Sequence, residues 1–140
     1  MLFTIKERIM HMLTEQQCRE MLQRLLDTLN TSDWDAMDNV MDDILVDDYV
    51  WHVAGLPEPV LGLQAAKEMM RSGIGAIPGY RATIEDVVCD GTKVVYRFGL
   101  HTTDPDTGKG QHTVCLMLLY IDGVKFSEEW ILSGPWEDDV

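Results

Sequence analysis

The chain has 140 residues, 46% of them apolar and 25% charged, with a formal net charge of −13. That length favours one domain with its own core, and the acidity repels phosphate backbones and anionic bilayers, so neither nucleic acid nor a membrane is an expected partner. Three scattered cysteines, Cys18, Cys89 and Cys115, fit reduced thiols in core positions of a cytoplasmic protein better than a disulfide frame or a zinc site.

In chain order, residues 1–13 read as a loosely held leader, and Lys6, Glu7 and Arg8 interrupt any signal peptide or membrane span. Thr14 with Gln17 makes a capping box. Cys18, Met21, Leu22, Leu25, Leu26 and Leu29 then recur at helical spacing. A second helix, capped by Ser32, carries a stripe of Trp34, Met37, Met41, Ile44 and Leu45. The period changes over 45–53, which predicts the first strand. Residues 63–72 predict a short third helix, stopped by Gly73, Gly75, Pro78 and Gly79. Four strands follow, over 81–89, 93–103, 111–121 and 124–132, joined at Asp90-Gly91, at 104–108 and at Asp122-Gly123. Gly134 and Pro135 end the domain of residues 14–134, and 135–140 form an acidic tail, mobile except where Trp136 docks.

Helices segregated from an antiparallel meander make this an α+β chain. A strongly curved sheet wrapped over helices leaves a cavity for a small apolar ligand. The run from Val114 to Leu119 is apolar on both faces. One face covers the cavity, and the other needs cover that a second subunit would provide, so a homodimer is expected. No glycine-rich phosphate loop follows a strand, which argues against nucleotides.

His52 stands between Trp51 and Val53, where a polar ring in an apolar strand needs a partner or a task. It is a candidate general base or acid. If Ile131 faces the cavity, period two puts Glu129 there as well, where it could pair with His52 or act as the acid itself; otherwise Glu129 is a solvated strand charge. Tyr49 could donate to an oxyanion. His101 and His112, on neighbouring strands, and Trp34 are candidate substrate contacts. His52, His101 and His112 would bind metal only if all three converged, and no short-spaced ligand pair supports that, so no metal site is expected.

The order of elements, together with 29–36 (LNTSDWDA), 47–55 (DDYVWHVAG), 84–88 (IEDVV), Asp122-Gly123 and Glu128-Glu129-Trp130, resembles the SnoaL-like branch of the nuclear transport factor two-like superfamily over roughly residues 15–133. The resemblance implies a cone-shaped α+β barrel, a curved antiparallel sheet over three helices, often paired as a homodimer through its outer sheet face. It implies cyclase or isomerase chemistry on a polyketide or terpenoid, without a cofactor. The cyclases' acid/base aspartate falls at Ile131 here, with partner positions near Val114 and Leu116. In the related ketosteroid isomerases the base lies three residues before a glycine, and counting back from Gly55 gives His52. Their tyrosine donor matches Leu25. The Arg-x-Asp motif of limonene epoxide hydrolases meets Arg97-Phe98-Gly99. Counting forward from Asp48 instead turns Trp51 inward, and a one-residue slip reverses the face. An enzyme of this kind and a non-catalytic binding or dimerisation module of the same fold both remain open.

Overall fold

The computed structural model describes Thr4 and residues 13–140. The leader expected over residues 1–13 lies outside the described residues except at Thr4 and Leu13, and Leu13 is buried in the core.

Helix α1 (Glu15–Leu29) starts at the capping box: the Thr14 hydroxyl accepts from the Gln17 amide, and the Gln17 side chain accepts from the Thr14 amide. Such a cap stabilises a helix by about 1 kcal/mol. Its buried face is Cys18, Leu22, Leu26 and Leu29. Helix α2 (Trp34–Ile44) is capped by Asp33 rather than by the expected Ser32. Ser32 adopts the left-handed conformation, φ 60°, and its hydroxyl turns to Tyr80. An N-cap needs extended backbone, which Asp33 has.

Strand β1 (Leu45–Val53) follows without a loop, then a two-residue strand β2 (Val60–Leu61), helix α3 (Leu63–Gly73) and a 3-10 turn (Ile74–Ala76). Strands β3 (Arg81–Cys89), β4 (Lys93–Thr103), β5 (Gly110–Asp122) and β6 (Lys125–Ser133) form the meander, and β7 (Glu137–Asp138) closes the chain. The sheet order is β2-β1-β6-β5-β4-β3, with β7 against β5. Every pair is antiparallel except β1 with β6, which is parallel. The tail is therefore not free: Gln111 donates to Asp138, and the His112 ring meets Asp139.

The concave face carries Tyr49, Trp51, Tyr96, Phe98, Met117, Leu119 and Phe126, packed on Leu22, Leu26, Met37, Met41 and Ile44 of the helices. Burying each such large apolar side chain contributes about 1.5–3 kcal/mol. The convex face is apolar as well. Val88, Val95, Leu118 and Trp130 stand in one cross-strand row that ends at His52, and Leu116 pairs with Leu132 in the next. Most of these are exposed.

The register of β1 decides which of its side chains enter the cone. Leu45 pairs with Phe126 and Val50 with Glu128, so five steps on β1 match two on β6. Tyr49 and Trp51 share the parity of buried Leu45 and face inward, where they are 1% and 7% exposed, which leaves His52 on the convex side. The irregularity lies on β6, where Phe126 and Glu129, three residues apart, are both buried.

Candidate functional site

At the closed end of the cone the inward carboxyl of Glu129 meets Tyr49. The Tyr49 hydroxyl donates a short hydrogen bond to Glu129 Oε1. Glu129 is only 5% exposed, and its other oxygen, Oε2, has no hydrogen-bond partner. A carboxylate there would lose its hydration without an opposing charge. Burial accordingly pushes the Glu129 pKa from an ordinary 4.5 up to about 8, with the Tyr49 hydrogen bond pulling weakly the other way. The carboxyl is neutral at pH 7. Burial, and after it the neighbouring Glu129, likewise push the Tyr49 and Tyr96 phenols up, so both stay protonated.

A second buried polar atom without a partner, Trp51 Nε1, borders the same space. This space has a volume of about 20 Å³, room for about one water molecule. Its walls are apolar: Leu22 and Leu25 from α1, Met41 from α2, Met70 from α3 and Phe126 from β6. With Glu129 protonated, its own O–H and the indole N–H are two donors on one small cavity. Both lack an acceptor, and a buried donor left unpaired costs about 1–3 kcal/mol.

Trp51 also borders a larger cavity of about 260 Å³ at the open end, walled by Ile74, Phe98, Leu100, Ile131 and the tail residue Trp136. The indole is thus shared by an apolar chamber of ligand size and the carboxyl behind it. Thr113 and Ser133 add the chamber's hydroxyls.

The other candidates from the sequence lie elsewhere. His52 was expected to share the cavity with Glu129. It does not: its ring stacks on Trp130 at 3.7 Å and bonds Glu128 Oε2 at 2.7 Å, both on the convex face. Alternation from buried Leu45 through Tyr49 and Trp51 turns His52 outward, so the count back from Gly55 gives the wrong face and the count from Asp48 the right one. A wider cleft of about 440 Å³ adjoins His52, Trp130 and residues 56–59 on that outer side, but it holds neither Glu129 nor Tyr49. His101 and His112 are cross-strand partners with ring centroids 6.3 Å apart. His112 has the strand parity of Val114 and Leu116, faces away from the cone and is held by Asp139 at 2.6 Å. His101 lies 3.5 Å from the Thr83 hydroxyl. Trp34 packs towards Tyr80 and over Gly75, where an added Cβ would sit 3.0 Å from its ring, and it borders neither chamber. Among the described residues no three His, Cys, Asp or Glu side chains converge to hold a metal ion. Trp51 and Tyr96 were not singled out as site residues in the sequence. The alternation of Tyr49 with Trp51 was the available signal for the first, and only the fold reveals the second.

The family model of the SnoaL-like domain matches residues 22–129. The chain belongs to the SnoaL-like domain family. No curated protein sequence matches it. Among solved structures it is similar to a protein of Jannaschia sp. CCS1 assigned as a SnoaL-like polyketide cyclase, with a TM-score of 0.73, 16% identity, and 85% of this chain and 86% of that one covered. It is also similar to IdmH of Streptomyces antibioticus, assigned as a polyketide cyclase (TM-score 0.68, 19% identity, 82% and 90% covered). A third is a protein of Kribbella flavida DSM 17836 assigned as a ketosteroid isomerase (TM-score 0.68, 16% identity, 86% and 80% covered). These likenesses establish the nuclear transport factor two-like α+β fold. The fold hosts several chemistries, so the site must carry the functional reading.

Proposed function

We propose that the chain is a cofactor-independent acid/base enzyme, a cyclase or isomerase, acting on a small and largely apolar carbonyl compound of the polyketide or terpenoid kind. The observation that carries this reading is the buried Glu129 carboxyl, bonded to Tyr49 through one oxygen and unpartnered at the other. A group with a pKa of about 8 both releases and takes a proton near neutral pH. In the proposed step the substrate's apolar body fills the chamber outside Trp51. Its carbonyl oxygen accepts from the indole N–H and from the Glu129 O–H. Negative charge developing on that oxygen is met by these donors: Glu129 passes its proton to the oxygen as water takes the proton of the adjacent C–H, giving the enol, and the Glu129 carboxylate takes the enol proton back as a carbon is reprotonated by water. Tyr49 holds the carboxyl in place and keeps its second oxygen turned to the cavity. For its carboxyl to reach a bound ligand, Trp51 must swing aside or the ligand must press past it, since the inner space is about 20 Å³.

That small volume favours a second reading, a binding or dimerisation module with a filled core. The two separate by experiment. Small enolisable ketones and their unsaturated isomers are incubated with the protein in D2O, and deuterium uptake and isomerisation are followed by NMR. Protein-dependent exchange supports the enzyme. Binding in the chamber without exchange or isomerisation across the set supports the module.

The convex face supports a homodimer, which we propose as the working assembly in a reduced, cytoplasmic setting. Val95, Val114, Leu116, Trp130 and Leu132 are all at least 40% exposed on neighbouring strands, an apolar surface that a second copy would cover. Light scattering should give twice the 15.9 kDa chain mass. Leu116→Lys should shift the population towards monomer without unfolding it. A wild-type monomer at micromolar concentration contradicts the assembly.

A further inference from the structure

Cys18 and Cys89 lie 71 residues apart in sequence, yet their sulfurs are 3.0 Å from one another, closer than non-bonded sulfurs normally approach. Cys18 is on the first turns of α1 and fully buried; Cys89 ends β3 and is partly exposed. Both face the space between α1 and the sheet, away from the convex face. Cys115 is remote from the pair, against the Ser133 hydroxyl. We propose that Cys18 and Cys89 are an oxidation site: a peroxide converts them to an intramolecular disulfide that ties α1 to the edge strand β3.

The two thiols differ in a way that sets the order of steps. Burial, with Cys89 alongside, pushes the Cys18 thiol up to about 12, so it is a poor first nucleophile. Cys89 is the more accessible sulfur, and its Sγ accepts from the Gly91 amide at 3.4 Å. The Cys89 thiolate attacks a peroxide oxygen. An S–O bond forms, the O–O bond breaks, and the released hydroxide takes a proton to become water, leaving Cys89 as the sulfenic acid. Cys18 then attacks the Cys89 sulfur. The S–S bond forms, the S–O bond breaks, and the leaving hydroxide takes the Cys18 proton, giving a second water. The sulfurs are oxidised by two electrons in all, and the peroxide is reduced to water. Bond formation requires the sulfurs to close by only about 1 Å. The link would close a long loop and pin the helix whose Leu22 and Leu25 roof the Glu129 cavity.

The test uses the whole chain, reduced and freed of reductant, then treated with equimolar hydrogen peroxide. Remaining thiols are alkylated after denaturation and the peptides are mapped by mass spectrometry. The expected result is a Cys18–Cys89 linked peptide pair with only Cys115 alkylated, and a rise in Tm of roughly 5–10 °C over the reduced protein. Cys115→Ser should keep both effects, and Cys89→Ser should lose both. Wild-type protein in which Cys18 and Cys89 are both still alkylated overturns the proposal, and so does a link that runs to Cys115 or between chains. A mapped link without a Tm rise overturns the claim that it fastens α1 to the sheet. The wild-type map decides even where a cysteine variant folds poorly.

Discussion

Replacing Glu129 with Gln is expected to lower turnover by about 10²–10⁴-fold, the usual worth of a positioned acid or base, while the protein stays folded. Gln keeps the shape of the side chain and still accepts a hydrogen bond from Tyr49, so the packing at the closed end is preserved. It cannot release or take the proton. Ligand binding in the outer chamber should change little, because Glu129 is not among that chamber's walls, and the loss should appear in kcat. His52→Ala is the informative control. His52 stacks on Trp130 outside the cone, so its loss should leave turnover within a few-fold of wild type once the assembly state is matched. A large loss in His52→Ala with near-normal Glu129→Gln would move the chemistry to the convex face.

The same carboxyl predicts how stability depends on pH. In the unfolded chain Glu129 ionises near its ordinary 4.5, and in the fold it holds its proton to about 8. The folded state therefore binds more protons between these values. For a group whose folded pKa is raised, the contribution is fully present below 4.5, declines as pH rises, and is gone above about 8. The span corresponds to roughly 3–5 kcal/mol for this fully buried group, a large share of the stability of a domain of this size. Urea unfolding of wild type and Glu129→Gln from pH 5 to pH 9 reads it directly. Wild type should lose stability relative to the variant across that range. Parallel curves would mean that Glu129 is ionised in the fold at neutral pH.

How much of this was legible in the sequence varies by element. Strands over 81–89 and 93–103 carry period-two patterns bounded by turn residues, the run over 45–53 is marked by its change of period after the second helix, and the structure places β3, β4 and β1 at those bounds. The two-residue strands β2 and β7 were not legible. They are too short for a period, and β7 depends on pairing with residues 111 and 112. The parallel β1–β6 contact is likewise a property of the sheet order β2-β1-β6-β5-β4-β3 and leaves no local mark.

At the site, Glu129 could be placed inward because β6 keeps its alternation from Ile131 back. His52 faces out because period two from buried Leu45 turns Tyr49 and Trp51 inward and His52 away, whereas the count back from Gly55 gives the opposite face. Ser32 as a helix cap failed for a local reason: the chain turns through a left-handed residue there, and the next polar residue, Asp33, takes the role. The Tyr49–Glu129 hydrogen bond joins residues 80 apart and exists only once β1 lies beside β6. The neutrality of the carboxyl follows from that burial, which no spacing in the sequence announces.

The central claim is that Glu129 carries a proton at neutral pH in an apolar cavity and exchanges it near pH 8. Labelling the glutamate side-chain carboxyls with carbon-13 and following their shifts from pH 4 to pH 10, with Glu129→Gln to assign the signal, measures this without a substrate. The account predicts one carboxyl titrating near pH 8 and missing in the variant. A Glu129 signal that titrates in the ordinary carboxylate range would contradict it.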